Sequence, residues 1–292
     1  MLIGSMSLKE DNIIIENIIR NALIEDLGKN HIDVTSDALI DNDAKSVALI
    51  KTREKCIVSG LEIAKRVFQI IDSTLNIEIN CSDGDLLKAN QSLMKIEGSA
   101  ISILKSERVA LNFLQRMCGI SSLTSSFIKK SNRNDLLVLD TRKTTPGLRL
   151  IEKLAVLAGG GKNHRFGLYD AVMIKDNHLS IIEKNDQHGI TNAIKKVKLE
   201  NPNLKIHVEV DSIRQLKIVL KEPPDWVLLD NMSIEDLKIC VKLCGNKCKT
   251  EASGDISLEN INKIAATGVD AVSIGSLTHS VKSVNLGLDF KV

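Results

Sequence analysis

Six short strand-like segments, most of them apolar, recur between residues 136 and 275, each followed by a helical pattern: LLVLD at 136, AVMI at 171, IHVEV at 206, WVLLD at 226, KTEA at 249 and DAVSI at 270. Mostly continuous apolar runs of this length suit strands of a parallel sheet covered on both faces. Six β/α units in about 140 residues point to a parallel α/β barrel rather than an open sheet. In a barrel of this kind the strand C-termini share one rim, where active sites are built. The polar residues at these ends are Arg142 with Lys143, Lys175, Glu209, Asp230, Ser253 with Gly254, and Gly275.

The preceding residues have a different rhythm. Residues 13–25 (IIIENIIRNALIE) read as an amphipathic helix closed near Gly28. From about 44 to 100 the segments SVALIKT, CIVSG, NIEINC and SLMKIEG are separated by turn residues and by one helical stretch, LEIAKRVFQII. They predict a small sheet with a helix packed on it. ILKSERVALNFL is strongly helical and continues to Met117, with Cys118-Gly119-Ile120 as the expected seam. The expected organisation is therefore an N-terminal α+β domain over 1–117 and an α/β barrel over 118–285.

Composition excludes several partners. The formal charge is only +2 and aromatic residues make up 2% of the 292, so a nucleic-acid surface has neither a basic field nor stacking side chains. No apolar run approaches the roughly 20 residues of a membrane helix, and the first residues lack the pattern of a signal peptide. A cytoplasmic protein is expected. The six cysteines do not suggest a disulfide framework. Cys240, Cys244 and Cys248 recur every fourth residue, which places them in a row along a helix face rather than around a metal, with Gly245 ending the helix between them.

Charge is concentrated in one place. Between Asp140 and His178 the chain carries seven Lys/Arg and two His around Gly159-Gly160-Gly161. This suits a small, multiply anionic ligand, because Arg offers a planar fork for carboxylate or phosphate and Lys a mobile point charge. Arg149, Glu152 and Lys153 lie at helical spacing and are expected to form a solvated face. The turns Ser253-Gly254-Asp255 and Gly275-Ser276 follow the last two strands, where barrels hold phosphate on backbone N–H groups. Glu209 and Asp230 could each bind a metal, meet sugar hydroxyls or support a developing cation. Lys175 could instead form a Schiff base, although the charged, wet rim around it disfavours that role. P-loop, dinucleotide-binding and nucleophile-elbow strings are absent.

A set of strings in fixed order extends the reading. They are Glu25-Asp26-Leu27-Gly28, Asp33-Val34-Thr35-Ser36, the run Glu107-Arg108 to Gln115, Asp140-Thr141-Arg142-Lys143 to Arg149, and Gly159 to Arg165. They continue with Ile174-Lys175-Asp176-Asn177-His178, Leu228-Leu229-Asp230-Asn231, Glu251-Ala252-Ser253-Gly254, and Gly275 to Ser280. With them the chain closely resembles the quinolinate phosphoribosyltransferases, also called nicotinate-nucleotide pyrophosphorylases (carboxylating), of NAD biosynthesis. The resemblance implies an incomplete α/β barrel, with residues 286–292 returning to the first domain. It also implies a pentosyltransferase reaction: quinolinate and phosphoribosyl pyrophosphate give nicotinate mononucleotide, pyrophosphate and carbon dioxide, with Mg2+. Carried over by position, Arg142, His164, Arg165 and Lys175 would hold the two quinolinate carboxylates. Arg108 would join them from the other subunit of a homodimer, with a higher oligomer left open. Lys143, Glu209 and Asp230 would face ribose, pyrophosphate and Mg2+, and Ser253, Gly254 and Gly275 the 5′-phosphate.

Two positions depart from the family pattern. His207 stands where a carboxylate is common, on the same strand face as Glu209. Asp255 stands where a glycine or neutral residue is expected. A phosphoribosyltransferase for nicotinate or another base, and a non-catalytic barrel that senses phosphorylated metabolites, are the alternative functions. The excess of carboxylate receptors favours a dicarboxylate over nicotinate, and release of pyrophosphate would separate an enzyme from a sensor.

Overall fold

The computed structural model describes residues 8–182 and 189–291. The chain begins with α1 (Leu8–Leu27), α2 (Ser36–Leu39), β1 (Lys45–Thr52), β2 (Cys56–Ile57) and α3 (Leu61–Ile71). Next come β3 (Asn76–Ile79), β4 (Leu86–Leu87), β5 (Ser92–Ser99) and the long α4 (Ala100–Ser131). Strands and helices then alternate: β6 (Leu137–Leu139), α5 (Arg149–Ala158), β7 (Val172–Ile174), α6 (Asp176–Ile182), α7 (Gly189–Glu200) and β8 (Ile206–Val210). They continue with α8 (Ile213–Val219), β9 (Trp226–Asp230), α9 (Ile234–Cys244), β10 (Lys249–Ser253) and α10 (Ile261–Ala265). The last are β11 (Ala271–Ser273), α11 (Ser276–His279) and β12 (Leu286–Phe290).

Two compact units result. The N-terminal unit holds the described residues through Ser125, with Lys143–Gly160 and those from Ser276 onward. Its antiparallel sheet runs β12-β1-β5-β3. Ala48, Ile50 and Thr52 of β1 are buried in alternation, as a half-covered strand requires, and Met94 and Ile96 of β5 join them in the core. Ile19, Leu23 and Leu27 recur at helical spacing and form the buried stripe of α1, which packs on α3. β12 pairs with β1 from Ala48↔Phe290 to Thr52↔Leu286, and Arg53 and Asp289 join beside that seam.

Two local expectations are corrected in this unit. α4 does not stop at Met117: the helix runs through Cys118-Gly119-Ile120 to Ser131, because Cys118 and Ile120 are buried helix-face residues. Glu152 and Lys153 are not a solvated face, since both are fully buried in α5. Helical spacing of charges is shared by exposed faces and by buried, paired ones, so spacing alone could not separate them. Glu152 accepts from Arg116 Nη2 at 2.7 Å and Nε at 3.1 Å, and from the Thr145 hydroxyl at 2.8 Å and N–H at 3.1 Å. Gly159 ends α5 where a Cβ would come within 2.4 Å of Ser121 O, so close packing against α4 requires glycine there.

The second unit, Ser126–Arg142 with Gly161–Gly275, is an all-parallel sheet in the order β6-β11-β10-β9-β8-β7. All six expected strands are present. The order follows the chain from β7 to β11 and brings β6 beside β11, which is barrel order left open between β6 and β7. This is an incomplete parallel α/β barrel. At the open edge Lys162 makes a single parallel bridge with Leu139: its N–H donates to Val138 O at 2.9 Å, and its carbonyl accepts from Asp140 N at 3.3 Å. Val227, Leu228 and Leu229 of β9 are all buried, the continuous run expected of a covered parallel strand. α8 and α9 start on Ser212 and Ser233, whose side chains accept N–H groups of the first turn. α9 ends at Gly245, and Cys240, Cys244 and Cys248 are buried.

Candidate active site

Parallel pairing sets the rim. Ser253 is the register partner of Asp230, and Glu209 and Glu251 both pair with Leu228, so carboxylates from β8, β9 and β10 lie at neighbouring levels of the sheet. Arg142 follows β6, Lys175 follows β7 and Gly275 follows β11, all at strand C-termini. Arg142, His164, Arg165, Lys175, Glu209, Asp230, Ser253, Gly254 and Gly275 all belong to this unit. Lys143 and Arg108 belong to the N-terminal unit. Lys143 is exposed, with its carbonyl accepting from the Thr278 hydroxyl at 2.8 Å, and Arg108 is exposed on α4.

The segment after α5 is folded by short hydrogen bonds. Asp140 is fully buried and accepts from the His164 N–H at 2.9 Å and from the Asn163 amide, which pins the chain just past the glycines to the end of β6. Asp170 accepts the N–H groups of Phe166 at 2.6 Å and Gly167 at 2.9 Å, closing the next turn. Between these two anchors, Arg165 donates to Ala171 O at 3.0 Å. Burial first, and then the adjacent Arg142 charge, push its guanidinium below the ordinary range, against the opposing pull of Asp170. Arg142 and Arg165 thus lie close enough for their charges to interact.

The next sector pairs opposite charges. Lys175 Nζ donates to Glu209 Oε2, and the Lys175 N–H donates to His178 Nδ1 at 3.0 Å. Asp230 accepts from the Asn231 amide at 3.1 Å, and Asn231 N donates to Ser253 O at 2.9 Å. Gly254 has φ +95°, and a Cβ there would lie 2.1 Å from Asn231 Oδ1, so the turn after β10 admits only glycine beside Asn231. Asp255 continues the turn at φ +44°, the left-handed region that explains an expected glycine, and its side chain is exposed.

Sequence reasoning underused two groups. Glu251 is fully buried in β10, with Oε2 3.4 Å from His164 Nε2 and 3.7 Å from His207 Nδ1. Burial pushes its carboxyl up, but the two imidazoles outweigh that and hold it at about 2, so it is an anion. His207 stacks on Trp226, with centroids 5.8 Å apart and planes at 5°. A carboxylate in the middle of a strand expected to be covered on both faces was the available signal, because a buried charge requires partners. Arg116 was hidden more deeply: its partners Thr145, Glu152 and the Thr278 carbonyl are scattered along the chain.

An incomplete α/β barrel whose strand C-termini carry cations, carboxylates and glycine turns has the arrangement on which barrel enzymes build their active sites. Comparison with known proteins narrows this class. The quinolinate phosphoribosyl transferase N-terminal domain model matches residues 33–118, and the C-terminal domain model matches residues 120–289. The chain is 40% identical over 293 residues to quinolinate phosphoribosyltransferase [decarboxylating] 2b of Nicotiana tabacum, covering 94% of this chain and 81% of that one. It is 36% identical to the probable nicotinate-nucleotide pyrophosphorylase [carboxylating] of Bacillus subtilis, covering 94% and 93%. The solved nicotinate-nucleotide pyrophosphorylase of Francisella tularensis superposes with a TM-score of 0.90 at 35% identity, over 100% of this chain and 99% of that one. The chain belongs to the quinolinate phosphoribosyltransferase family.

Proposed function

We infer that the chain transfers the phosphoribosyl group of phosphoribosyl pyrophosphate to quinolinate with decarboxylation, a step of NAD biosynthesis. What supports this reading is the family membership over residues 33–118 and 120–289, together with the placement of Arg142 after β6 and of Arg165 in the turn that Asp140 and Asp170 anchor. Quinolinate presents two adjacent carboxylates beside a ring nitrogen, and arginine forks hold such a plane at fixed spacing. Arg142, His164, Arg165 and Lys175 hold these carboxylates. Lys143, Glu209 and Asp230 serve ribose and pyrophosphate, and Ser253, Gly254 and Gly275 offer backbone N–H groups and a hydroxyl to the 5′-phosphate.

In the reaction the ring nitrogen attacks the anomeric carbon, and the bond to pyrophosphate breaks with its electron pair on the leaving group. Orientation of two mutually repelling anions is the protein's main contribution. The resulting pyridinium withdraws the electron pair of the C2–carboxylate bond; carbon dioxide departs, and a solvent proton completes nicotinate mononucleotide. Glu209 and Asp230 present oxygen donors, which fit Mg2+. When bound, Mg2+ would neutralise charge on the leaving pyrophosphate.

The same proposal includes a homodimer, alone or within a higher oligomer, with Arg108 supplied by the neighbouring subunit; its exposed position on α4 supports this. It also includes a cytoplasmic location. Six free cysteines suit a reducing compartment, and no helix among the described residues is long and apolar enough to cross a membrane. Neither nucleic acid nor membrane is a partner in this reading. The direct test is release of carbon dioxide and pyrophosphate from quinolinate plus phosphoribosyl pyrophosphate, with and without Mg2+, and with nicotinate as the control base. Equal turnover of nicotinate would refute the dicarboxylate assignment, and no pyrophosphate release would refute the transferase.

A further inference from the structure

Cys240, Cys244 and Cys248 are spaced like a row, but the fold separates them. Cys240 faces Met232, Sγ to Sδ at 3.6 Å. Cys244 is the last residue of α9 and is 1% exposed. Gly245 then turns the chain at φ +49°, and the Lys247 N–H donates back to the Cys244 carbonyl at 2.9 Å, so Cys248 returns beside the helix end just before β10. A cavity of about 520 Å3 has Cys248 in its wall, with Lys198, Pro223, Asp225, Lys247 and Lys249 around it. It lies at the strand N-termini, because Asp225 precedes β9 and Cys248 precedes β10. The rim is at the other end of the sheet, roughly 17 Å away along a strand of five residues. The neighbouring Cys244 thiol draws Cys248 below the ordinary thiol range; burial and Asp270 oppose this, and Lys247 assists. The same neighbour relation, and then burial, push Cys244 up.

We propose that Cys248 and Cys244 form a thiol-modification site: the cavity admits a small disulfide bearing carboxylates, Cys248 attacks it, and Cys244 resolves the product. The cavity lysines suit the carboxylates of such a molecule. In the first step the Cys248 sulfur, its proton given to solvent, bonds to one sulfur of the small disulfide. The S–S bond of that molecule breaks, and one small thiolate leaves with the electron pair and takes up a proton. In the second step Cys244 gives its proton to solvent and attacks the Cys248 sulfur; a Cys244–Cys248 bond forms, and the second small thiolate departs and is protonated. The protein is oxidised by two electrons, and the small disulfide is reduced to two thiols. An excess of the small thiol reverses both steps, so the site suits a reducing compartment, where disulfides are transient.

Peptide mapping tests it, with oxidised and reduced glutathione at graded ratios as the probe. The folded protein is equilibrated, quenched in acid, alkylated and cut with trypsin. Trypsin cleaves after Lys242, Lys247 and Lys249, so peptides 243–247 and 248–249 separate unless a disulfide joins them. The wild type should give the joined pair under oxidising ratios and lose it when reduced glutathione is in excess. Cys244→Ser should stop at the mixed glutathione disulfide on Cys248, and Cys248→Ser should leave Cys244 unmodified. Under limiting iodoacetamide at neutral pH, Cys248 of the wild type should react at least about tenfold faster than Cys240. Should a serine variant not fold, the joined pair and the alkylation rates of the wild type decide. Absence of the joined pair from the folded wild type at the most oxidising ratio would overturn the proposal. So would modification of Cys244 in Cys248→Ser, or equal alkylation of Cys248 and Cys240.

Discussion

Replacing Arg116 by methionine removes charge and keeps much of the stem. Glu152 is then left with no side-chain cation, fully buried, holding only the hydroxyl and N–H of Thr145 among the donors described above. Removing one partner of a buried ion pair costs about 3–5 kcal/mol, because the remaining charge stays desolvated. Arg116 keeps 26% of its side chain exposed, which allows water to reach the vacated space and places the expectation near the lower end, about 3 kcal/mol. That is a factor of roughly 150 in the folding equilibrium. Urea denaturation at fixed protein concentration, followed by circular dichroism, measures it. The Arg116→Met, Glu152→Met double variant removes both charges and should return to within about 1–2 kcal/mol of the wild type. If Arg116→Met costs less than about 1 kcal/mol, or if the double variant loses the sum of the two single effects, the pair is not the buried, mutually dependent unit described here.

Arg142→Ala should raise the quinolinate KM by tenfold or more, as loss of a charge-assisted fork predicts, with the thermal midpoint nearly unchanged; steady-state kinetics at low quinolinate check it. Mixing Arg108→Ala with Lys175→Ala protein should restore activity through one intact mixed site per dimer, whereas a mixture no more active than its components would refute a shared site. Gly254→Ala forces a side chain onto the Asn231 amide at a left-handed φ and should cost about 2 kcal/mol or more, with a raised phosphoribosyl pyrophosphate KM. Glu251 is held below its ordinary range, so its charge stabilises the fold above the ordinary carboxyl value of 4.5 and that contribution is lost as pH falls toward about 2. The span corresponds to about 3 kcal/mol, and Glu251→Gln should flatten the acid limb of a denaturation titration.

Most of the parallel strands were legible because residues covered on both faces are mainly apolar, as in β9, and their polar ends then follow from topology. β4 was not legible: Leu86 and Leu87 form a two-residue strand that exists only as the partner of Cys56 and Ile57. The end of α4 was misread for the opposite reason, since glycine after Cys118 suggests a break in isolation but is tolerated where Cys118 and Ile120 are packed. Among site residues, the cations announced themselves through local excess. The long-range contacts of the rim did not: Asp140 accepts the His164 backbone N–H across 24 positions and Glu251 lies against the His164 ring across 87, and no local pattern encodes such pairings.

The pairing of β12 with β1 also bears on the order in which the chain can fold. Arg53 and Asp289 meet across a separation of 236 residues. At about 5–20 residues per second, a ribosome needs roughly 10–50 s to deliver the second after the first. The N-terminal unit, first to emerge, is therefore the last whose sheet can be finished, and during that interval β1 has a bare edge able to recruit a strand from another chain. Loss of a few C-terminal residues should therefore be felt first at the opposite end of the sequence, as aggregation of nascent protein rather than as a defect in the barrel.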